Sequence, residues 1–183
     1  MQLALRRLPP TMAVDSSMGG ISLDTEARLF QLAGAGGIPG PDIVYVLQPT
    51  DELGAGFLMQ WLEGETLGQR IVRAEEFAAV RPQLARECGE ILGRIHALDW
   101  RAAGLQQELP TVKPAMLVEE TWSYYREFNI PVPMIDYTWR WLQENLPAQS
   151  RMTLVHGDFR NGNLMVTPDG INAVLDWELT QVG

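Results

Sequence analysis

The stretch LVHGDFRNGNLMV, residues 154–166, constrains the fold most strongly, because it places polar side chains between two apolar runs. Buried polar groups are stable only when they are hydrogen-bonded. We therefore expect His156, Asp158 and Asn163 to belong to one organised loop. TLV predicts a buried strand, HGDFRNG a loop, and NLMV with NAVLD a hairpin that closes through residues 167–170. If this hairpin packs beside the first strand, Asp176 faces the same point.

These side chains have the chemistry that phosphoryl transfer requires. One carboxylate can orient or deprotonate an attacking hydroxyl, while an amide oxygen and a second carboxylate hold Mg²⁺ against nucleotide phosphates. Asp158 and Asn163 have four residues between them, and Asp176 follows after the short predicted hairpin. The spacing therefore predicts a magnesium-dependent site for phosphoryl transfer.

Composition argues against several other classes of protein. The chain has 183 residues, 46% of them hydrophobic, which fits one domain or two small lobes. Lys and Arg number 14 against 23 Asp and Glu, for a net charge of −9, so nucleic acid is not an expected partner. No stretch approaches the roughly 20 apolar residues that span a bilayer. The single cysteine has no partner for an internal disulfide, and the order of charges and apolar residues at the start does not fit a secretory signal. We expect a cytoplasmic protein without a membrane partner.

The first 62 residues are typical of a small sheet with one helix. QLALRR predicts a short edge strand that ends at Pro9, followed by a loop through residues 11–20. DTEARLFQLAG predicts a helix capped by Asp24 and stopped at Gly34. DIVYVLQ and GFLMQWLEG predict the two strands of a hairpin, because the turn-rich PTDELGA separates them.

The rest of the chain is mainly helical up to the polar stretch. Apolar residues recur at helical spacing through EEFAAVRPQLARECGEILGRIHAL, where Pro82 is expected to kink or restart the helix. This pattern places His96 on the apolar side as a packed core residue. Further helices are predicted at 115–128 and 137–145.

HGDFRNGN and the following VLDWE resemble the aminoglycoside phosphotransferase and choline kinase superfamily, in particular its branch joined to acyl-CoA dehydrogenases. The resemblance implies an α+β, protein-kinase-like fold with a small sheet lobe and a mainly helical lobe that carries a catalytic hairpin. It also implies that Asp158 is the catalytic residue and that Asn163 and Asp176 bind Mg²⁺. The expected co-substrate is ATP or GTP, and the expected acceptor is a small hydroxylated molecule such as an aminoglycoside, a hydroxy acid or a thioester.

Further segments carry the same resemblance in the same order. TEARLFQL resembles the family's glutamate-bearing helix, and its glutamate is Glu26. FLMQWLEGETL resembles the hinge between the two lobes, whose backbone from Gln60 to Leu62 would receive the adenine edge. LGRIHALD resembles the end of the family's long helix. The implied lobes are residues 1–62 and 63–183.

The sequence also departs from the family pattern. Kinase-like folds hold nucleotide phosphates with a strand lysine that pairs with the helix glutamate, yet no lysine precedes Lys113. Arg6 and Arg7 occupy the aligned strand, and we expect Arg6 to pair with Glu26, although a guanidinium is not equivalent to an ammonium. The chain is expected to be truncated at both ends relative to the family, without the phosphate-covering loop or the C-terminal helices.

Alternatives to the kinase interpretation follow from these departures. One is an inactive or nucleotide-binding remnant, and a weaker one is a metal-dependent phosphatase, for which two histidines are too few.

Several other residues in and after the polar stretch are expected to have structural roles. His156 is expected to be structural rather than a proton carrier, Arg160 and Asn161 to be solvated, and Glu178 to be an ion-pair partner. An unpaired edge of the first strand predicts self-association.

Overall fold

The structure is a computed structural model that describes residues 2–8 and 20–183. The predicted end of the first strand at Pro9 and nearly all of the predicted loop lie outside these residues.

Three antiparallel strands form the N-terminal sheet: β1 (Leu3–Arg7), β2 (Ile43–Val46) and β3 (Gly56–Gln60). Their order is β1-β3-β2, with Arg6 opposite Phe57, so the predicted β2–β3 hairpin is confirmed and β1 is an edge strand. Gly56 allows β1 to approach, because a Cβ atom there would lie 2.5 Å from the Arg6 carbonyl oxygen. Tight pairing here fixes the position of Arg6.

Helix α1 (Leu23–Ala35) begins two residues earlier than it would with Asp24 as its N-cap. The Ser22 hydroxyl accepts the backbone N–H of Thr25, so Ser22 is the N-cap and the prediction of Asp24 was wrong. The helix also runs past Gly34 and ends with Gly36 as its C-cap. Its buried face directs Glu26 inward.

The predicted long helix is divided where Pro82 suggested. A short helix α2 (Gly68–Arg73) and a 3-10 turn (Glu75–Phe77) precede α3 (Arg81–Ala97), which carries Pro82 in its first turn. Proline is tolerated there because the first N–H groups of a helix have no intrahelical partner. Ile91 and Ile95 are buried, but His96 is exposed, so its predicted core position was wrong.

Helices α4 (Pro114–Glu127) and α5 (Pro133–Asn145) form an antiparallel pair, and α5 begins earlier than predicted. Trp122 and Trp139 stack between them with ring centroids 4.5 Å apart. Apolar side chains from both helices line a pocket of about 340 Å³ around this stack.

Four short strands complete the chain: β4 (Leu154–Val155), β5 (Leu164–Thr167), β6 (Gly170–Val174) and β7 (Gln181–Val182). The β5–β6 hairpin confirms the sequence prediction. Strand β4, however, does not pair with that hairpin but with β7, which the sequence did not predict. The pairing of β4 with β7 fixes the base of the HGDFRNG loop.

One hydrophobic core joins the N-terminal sheet to the C-terminal strands. Phe30 of α1 packs edge-to-face on Phe57 at 5.9 Å and on Trp177 at 6.3 Å, and all three side chains are buried. Ile95 and Leu154 belong to the same core. The boundary predicted between residues 62 and 63 stays a prediction, since residues from both sides contribute to this core.

Candidate active site

His156 connects the loop to the C-terminal hairpin. The ring is 1% exposed, its Nε2 lies 3.1 Å from the Leu175 carbonyl oxygen, and the backbone N–H of Asp158 donates to its Nδ1 at 3.2 Å. An Nδ1 that accepts a hydrogen bond carries no proton, so Nε2 is the donor to Leu175. Burial lowers the pKa of His156, which keeps the ring neutral. His156 therefore holds the residues before Asp176 against the loop that carries Asp158.

Asn163 holds Asp158 from the other side of the loop. Its side-chain Nδ2 donates to the Asp158 carbonyl oxygen at 3.0 Å and to Asp158 Oδ2 at 2.8 Å. Asn163 is buried, and its backbone carbonyl oxygen accepts a hydrogen bond from the backbone N–H of Leu175 at 2.8 Å. Leu175 is thus bonded through both its N–H and its carbonyl, which places Asp176 directly beside the loop.

Arg160 is exposed, as predicted for a solvated loop residue, and it also contacts the Asp158 carboxylate. Its Nε lies 2.9 Å from Oδ1 and 3.0 Å from Oδ2 of Asp158. Hydrogen bonding by Arg160 holds the pKa of Asp158 below its ordinary value, and Asn163 adds to the effect. The carboxylate is therefore kept charged near neutral pH.

Two backbone conformations shape this loop and its neighbour. Gly157 has φ of 85°, and a Cβ there would lie 2.0 Å from the Leu179 carbonyl oxygen. Asp176 also has a positive φ, 63°, a conformation that Asp adopts more readily than most residues. Such conformations cost free energy and persist only where the surroundings impose them.

Arg6 forms a second polar cluster next to Asp176. Its Nε lies 2.7 Å from Glu26 Oε2, and one terminal nitrogen lies 3.0 Å from Asp176 Oδ1 and 2.9 Å from Glu178 Oε2. The structure thus brings together Arg6, Glu26 and Asp176, and adds Glu178 as a third carboxylate. Arg7 instead donates to the Leu53 carbonyl oxygen.

Glu26 is the most buried charged group of this cluster, with 1% of the residue exposed. Burial raises the pKa of Glu26 to about 7; Arg6 opposes the shift, and the nearby carboxylates of Asp176 and Glu178 add to it. The second carboxylate oxygen, Oε1, is buried without a hydrogen-bond partner among the described residues. Ionised Glu26 is therefore costly in this environment.

A cavity of about 460 Å³ lies between the N-terminal sheet and the β5–β6 hairpin. Gln60 and Leu62 line one side, and Met165 and Leu175 line the other. The backbone N–H of Gln60 is bonded to the Asp42 carbonyl, whereas none of the described backbone hydrogen bonds involves the N–H of Leu62. The cavity thus extends from the predicted hinge to the residue that precedes Asp176.

A metal site made only of ionisable ligands is not present in the described parts of the chain. Residues 2–8 and 20–183 contain no group of three or more His, Cys, Asp or Glu side chains arranged to bind a metal ion. Asn163 and Asp176 together offer one amide and one carboxylate.

The sequence profile of the APH phosphotransferase enzyme family matches residues 21–183. The chain belongs to this family. Acyl-CoA dehydrogenase family member 10 of Mus musculus is 29% identical over 187 aligned residues, which cover 100% of this chain but only 17% of the mouse protein. The resemblance to the branch joined to acyl-CoA dehydrogenases is thereby confirmed.

Solved structures of other APH-like proteins share the fold. A Ralstonia eutropha protein, solved as a candidate aminoglycoside phosphotransferase, superposes with a TM-score of 0.71 at 24% identity over 88% of this chain and 51% of its own. The macrolide 2'-phosphotransferase MphH of Brachybacterium faecium gives 0.67 at 20% identity over 99% of this chain and 59% of its own. The chain thus spans little more than half of these structures. The predicted α+β, kinase-like fold is confirmed.

The APH chain has site features that sequence reasoning missed. The contact between Arg160 and Asp158 was not predicted, because the sequence of a polar loop does not show which group an exposed arginine contacts. Only the position of Arg160, two residues after Asp158, hinted at the contact. The role of the Leu175 backbone had no sequence signal at all.

No helix in the described parts of the chain combines the length and apolar character needed to cross a membrane.

Proposed function

We propose that this chain is a small-molecule kinase that transfers the γ-phosphoryl group of ATP or GTP to a hydroxyl group. The observation that carries the proposal is the junction of the loop and the hairpin. The side-chain Nδ2 of Asn163 lies 2.8 Å from Asp158 Oδ2. The backbone carbonyl oxygen of Asn163 lies 2.8 Å from the backbone nitrogen of Leu175, the residue before Asp176. Membership of the phosphotransferase family supports the same reaction class.

Asp158 is the proposed base. Its carboxylate is 28% exposed, so a substrate can reach it, and hydrogen bonds from Arg160 and Asn163 hold it in one orientation. In the proposed reaction the acceptor hydroxyl oxygen bonds to the γ-phosphorus as the bond to the β,γ-bridging oxygen breaks. The hydroxyl proton moves to Asp158 and ADP or GDP leaves.

Asn163 and Asp176 fit a magnesium ion through their donor atoms. Because the Asn163 Nδ2 is used by Asp158, its amide oxygen remains as a ligand, and Asp176 Oδ2 remains while Oδ1 bonds Arg6. Mg²⁺ commonly takes one or two protein oxygens and completes its coordination with water and substrate phosphates. When bound, the ion would neutralise charge that develops on the phosphates.

The nucleotide is proposed to occupy the cavity between the sheet and the hairpin. Its volume of about 460 Å³ lies within the usual range for cofactor sites of roughly 300–1,000 Å³. The N–H of Leu62 is available to the adenine edge, beside Gln60. Arg6, held by Glu26, is the nearest arginine of the described residues to Asp176 and would contact the phosphates.

Nucleotide binding without turnover is the second candidate. It is favoured by the contact between Arg6 and Asp176, since a guanidinium already paired with three carboxylates must reorganise before it can bind a phosphate. This candidate predicts binding of Mg·ATP with no transfer.

Transfer of labelled γ-phosphate to a panel of aminoglycosides, hydroxy acids and their thioesters distinguishes the two candidates. We expect Asp158→Asn to lower the transfer rate by about 10²–10⁴-fold, and Asp169→Asn, an exposed residue of the hairpin turn, to retain it. Transfer at the wild-type rate by Asp158→Asn would contradict the assignment of the base.

A further inference from the structure

Arg160 is the strongest feature of the site without an assigned role. Its side chain is 62% exposed, so the ion pair with Asp158 contributes little to folding. A single nitrogen, Nε, nevertheless contacts both oxygens of the carboxylate, at 2.9 and 3.0 Å. A contact of this kind fixes the direction of the carboxylate.

The guanidinium is itself held in place by the loop. A terminal nitrogen donates to the Asn161 carbonyl oxygen at 3.0 Å, and the Arg160 carbonyl accepts the N–H of Asn163 at 3.1 Å. Gly162 has φ of 101°, and a Cβ at that position would lie 2.9 Å from the same guanidinium nitrogen. The turn of residues 160–163 thus folds Arg160 back towards Asp158 and leaves room for it.

The two oxygens of Asp158 are not equivalent in this arrangement. Oδ2 accepts from both Arg160 Nε and Asn163 Nδ2, whereas Oδ1 accepts from Arg160 alone. The oxygen with fewer hydrogen bonds has more lone-pair capacity for a substrate proton.

We propose that Arg160 is a positioning residue that, together with Asn163, clamps the Asp158 carboxylate so that Oδ1 receives the proton of the acceptor hydroxyl. This inference rests on the proposed kinase function, and it assigns Arg160 no contact with the substrate. Removal of Arg160 leaves Oδ2 bonded to Asn163 and frees the carboxylate to rotate about that contact. Misplacement of a catalytic group by about 1 Å lowers a rate by about 10²-fold.

The test uses Mg·ATP with water as the acceptor, so that no acceptor need be identified, and compares Arg160→Gln and Arg160→Lys with wild type. We expect Arg160→Gln to lower the rate of ADP release by about 10- to 100-fold with KM for Mg·ATP within about twofold. Arg160→Lys should recover part of the rate because it restores a charged donor. Arg86→Gln removes the same charge from a 72% exposed side chain of α3 and should match wild type.

A crystal structure of Arg160→Gln provides a readout that does not depend on turnover. We expect the Asp158 carboxylate to leave its present orientation while the His156 and Asn163 backbone contacts persist. A carboxylate that stays in place, or an Arg160→Gln rate equal to wild type, overturns the positioning role. If the wild type releases no ADP with water as the acceptor, the crystal structure still decides whether Arg160 orients the carboxylate, and the transfer assay with the acceptor panel decides the proposed function.

Discussion

Replacement of Glu26 by Gln tests the electrostatics of the Arg6 cluster through folding stability. Glu26 is 1% exposed, one carboxylate oxygen contacts Arg6 at 2.7 Å, and the other is buried without a partner in the described parts of the chain. A glutamine keeps the volume and one acceptor for Arg6 but never carries a charge. The change therefore removes the penalty of ionising a buried carboxyl together with the attraction of that charge to Arg6, and the raised pKa shows that the penalty is the larger of the two.

The sign of the effect follows from the raised pKa. Burial moves the pKa of Glu26 from 4.5 to about 7, so below pH 4.5 the carboxyl is protonated in the folded and unfolded states alike. As the pH rises, the unfolded chain loses this proton first, and the folded state loses stability until the pH exceeds about 7. At about 1.4 kcal/mol per pH unit, the loss is at most roughly 3.5 kcal/mol.

Urea unfolding at pH 5.0 and pH 8.5 measures this difference. We expect the free energy of unfolding of Glu26→Gln relative to wild type to rise by about 1–3 kcal/mol between the two pH values. Asp24→Asn is the matched control, because it makes the same kind of change in the same turn of α1 at a side chain that is exposed. An equal pH dependence for Glu26→Gln and wild type would refute the reasoning.

Two further predictions concern the backbone and the sheet edge. Gly157→Ala should lower the unfolding free energy by about 1–3 kcal/mol, because φ is 85° and a Cβ would lie 2.0 Å from the Leu179 carbonyl oxygen. Gly89→Ala, at a position in α3 with open space for a Cβ atom, should instead raise the unfolding free energy by about 0.5–1 kcal/mol in the same urea titration. A lower unfolding free energy in both variants would contradict the steric argument. We also expect the outer edge of β1, which pairs with no strand among the described residues, to cause self-association, reduced by Leu5→Lys at a side chain that is 49% exposed. Light scattering that finds wild type to be a monodisperse monomer would contradict this expectation.

Much of the fold could be predicted because the relevant signals are local. Alternating apolar residues and turn-rich connections identified the β2–β3 and β5–β6 hairpins, and helical spacing identified α3 with its restart at Pro82. The spacing of Asp158 and Asn163 also pointed to their contact across one loop. Each of these signals is contained within about twenty residues of sequence.

The remaining features depend on tertiary contacts that leave little trace in the sequence. Strand β7 is only two residues long and is stabilised by pairing with β4, so its pattern is too short to detect. His96 directly follows the buried Ile95, and only the packing of α3 decides which side of Ile95 is covered; the side that carries His96 is exposed. Arg160 contacts Asp158 because Gly162 adopts a positive φ and turns the loop back, a conformation that the letters RNGN do not specify.

Calorimetric titration of Mg·ATP into wild type and Asp176→Ala is the most direct test of the proposed site. Asp169→Ala, on the exposed turn of the same hairpin, is the matched control. We expect magnesium-dependent binding by wild type and Asp169→Ala, and at least a tenfold loss of affinity in Asp176→Ala because a charged ligand of the ion is removed. Equal affinity in all three proteins, or no binding by any of them, would contradict the proposal that Asp176 and Asn163 hold a metal ion against nucleotide phosphates.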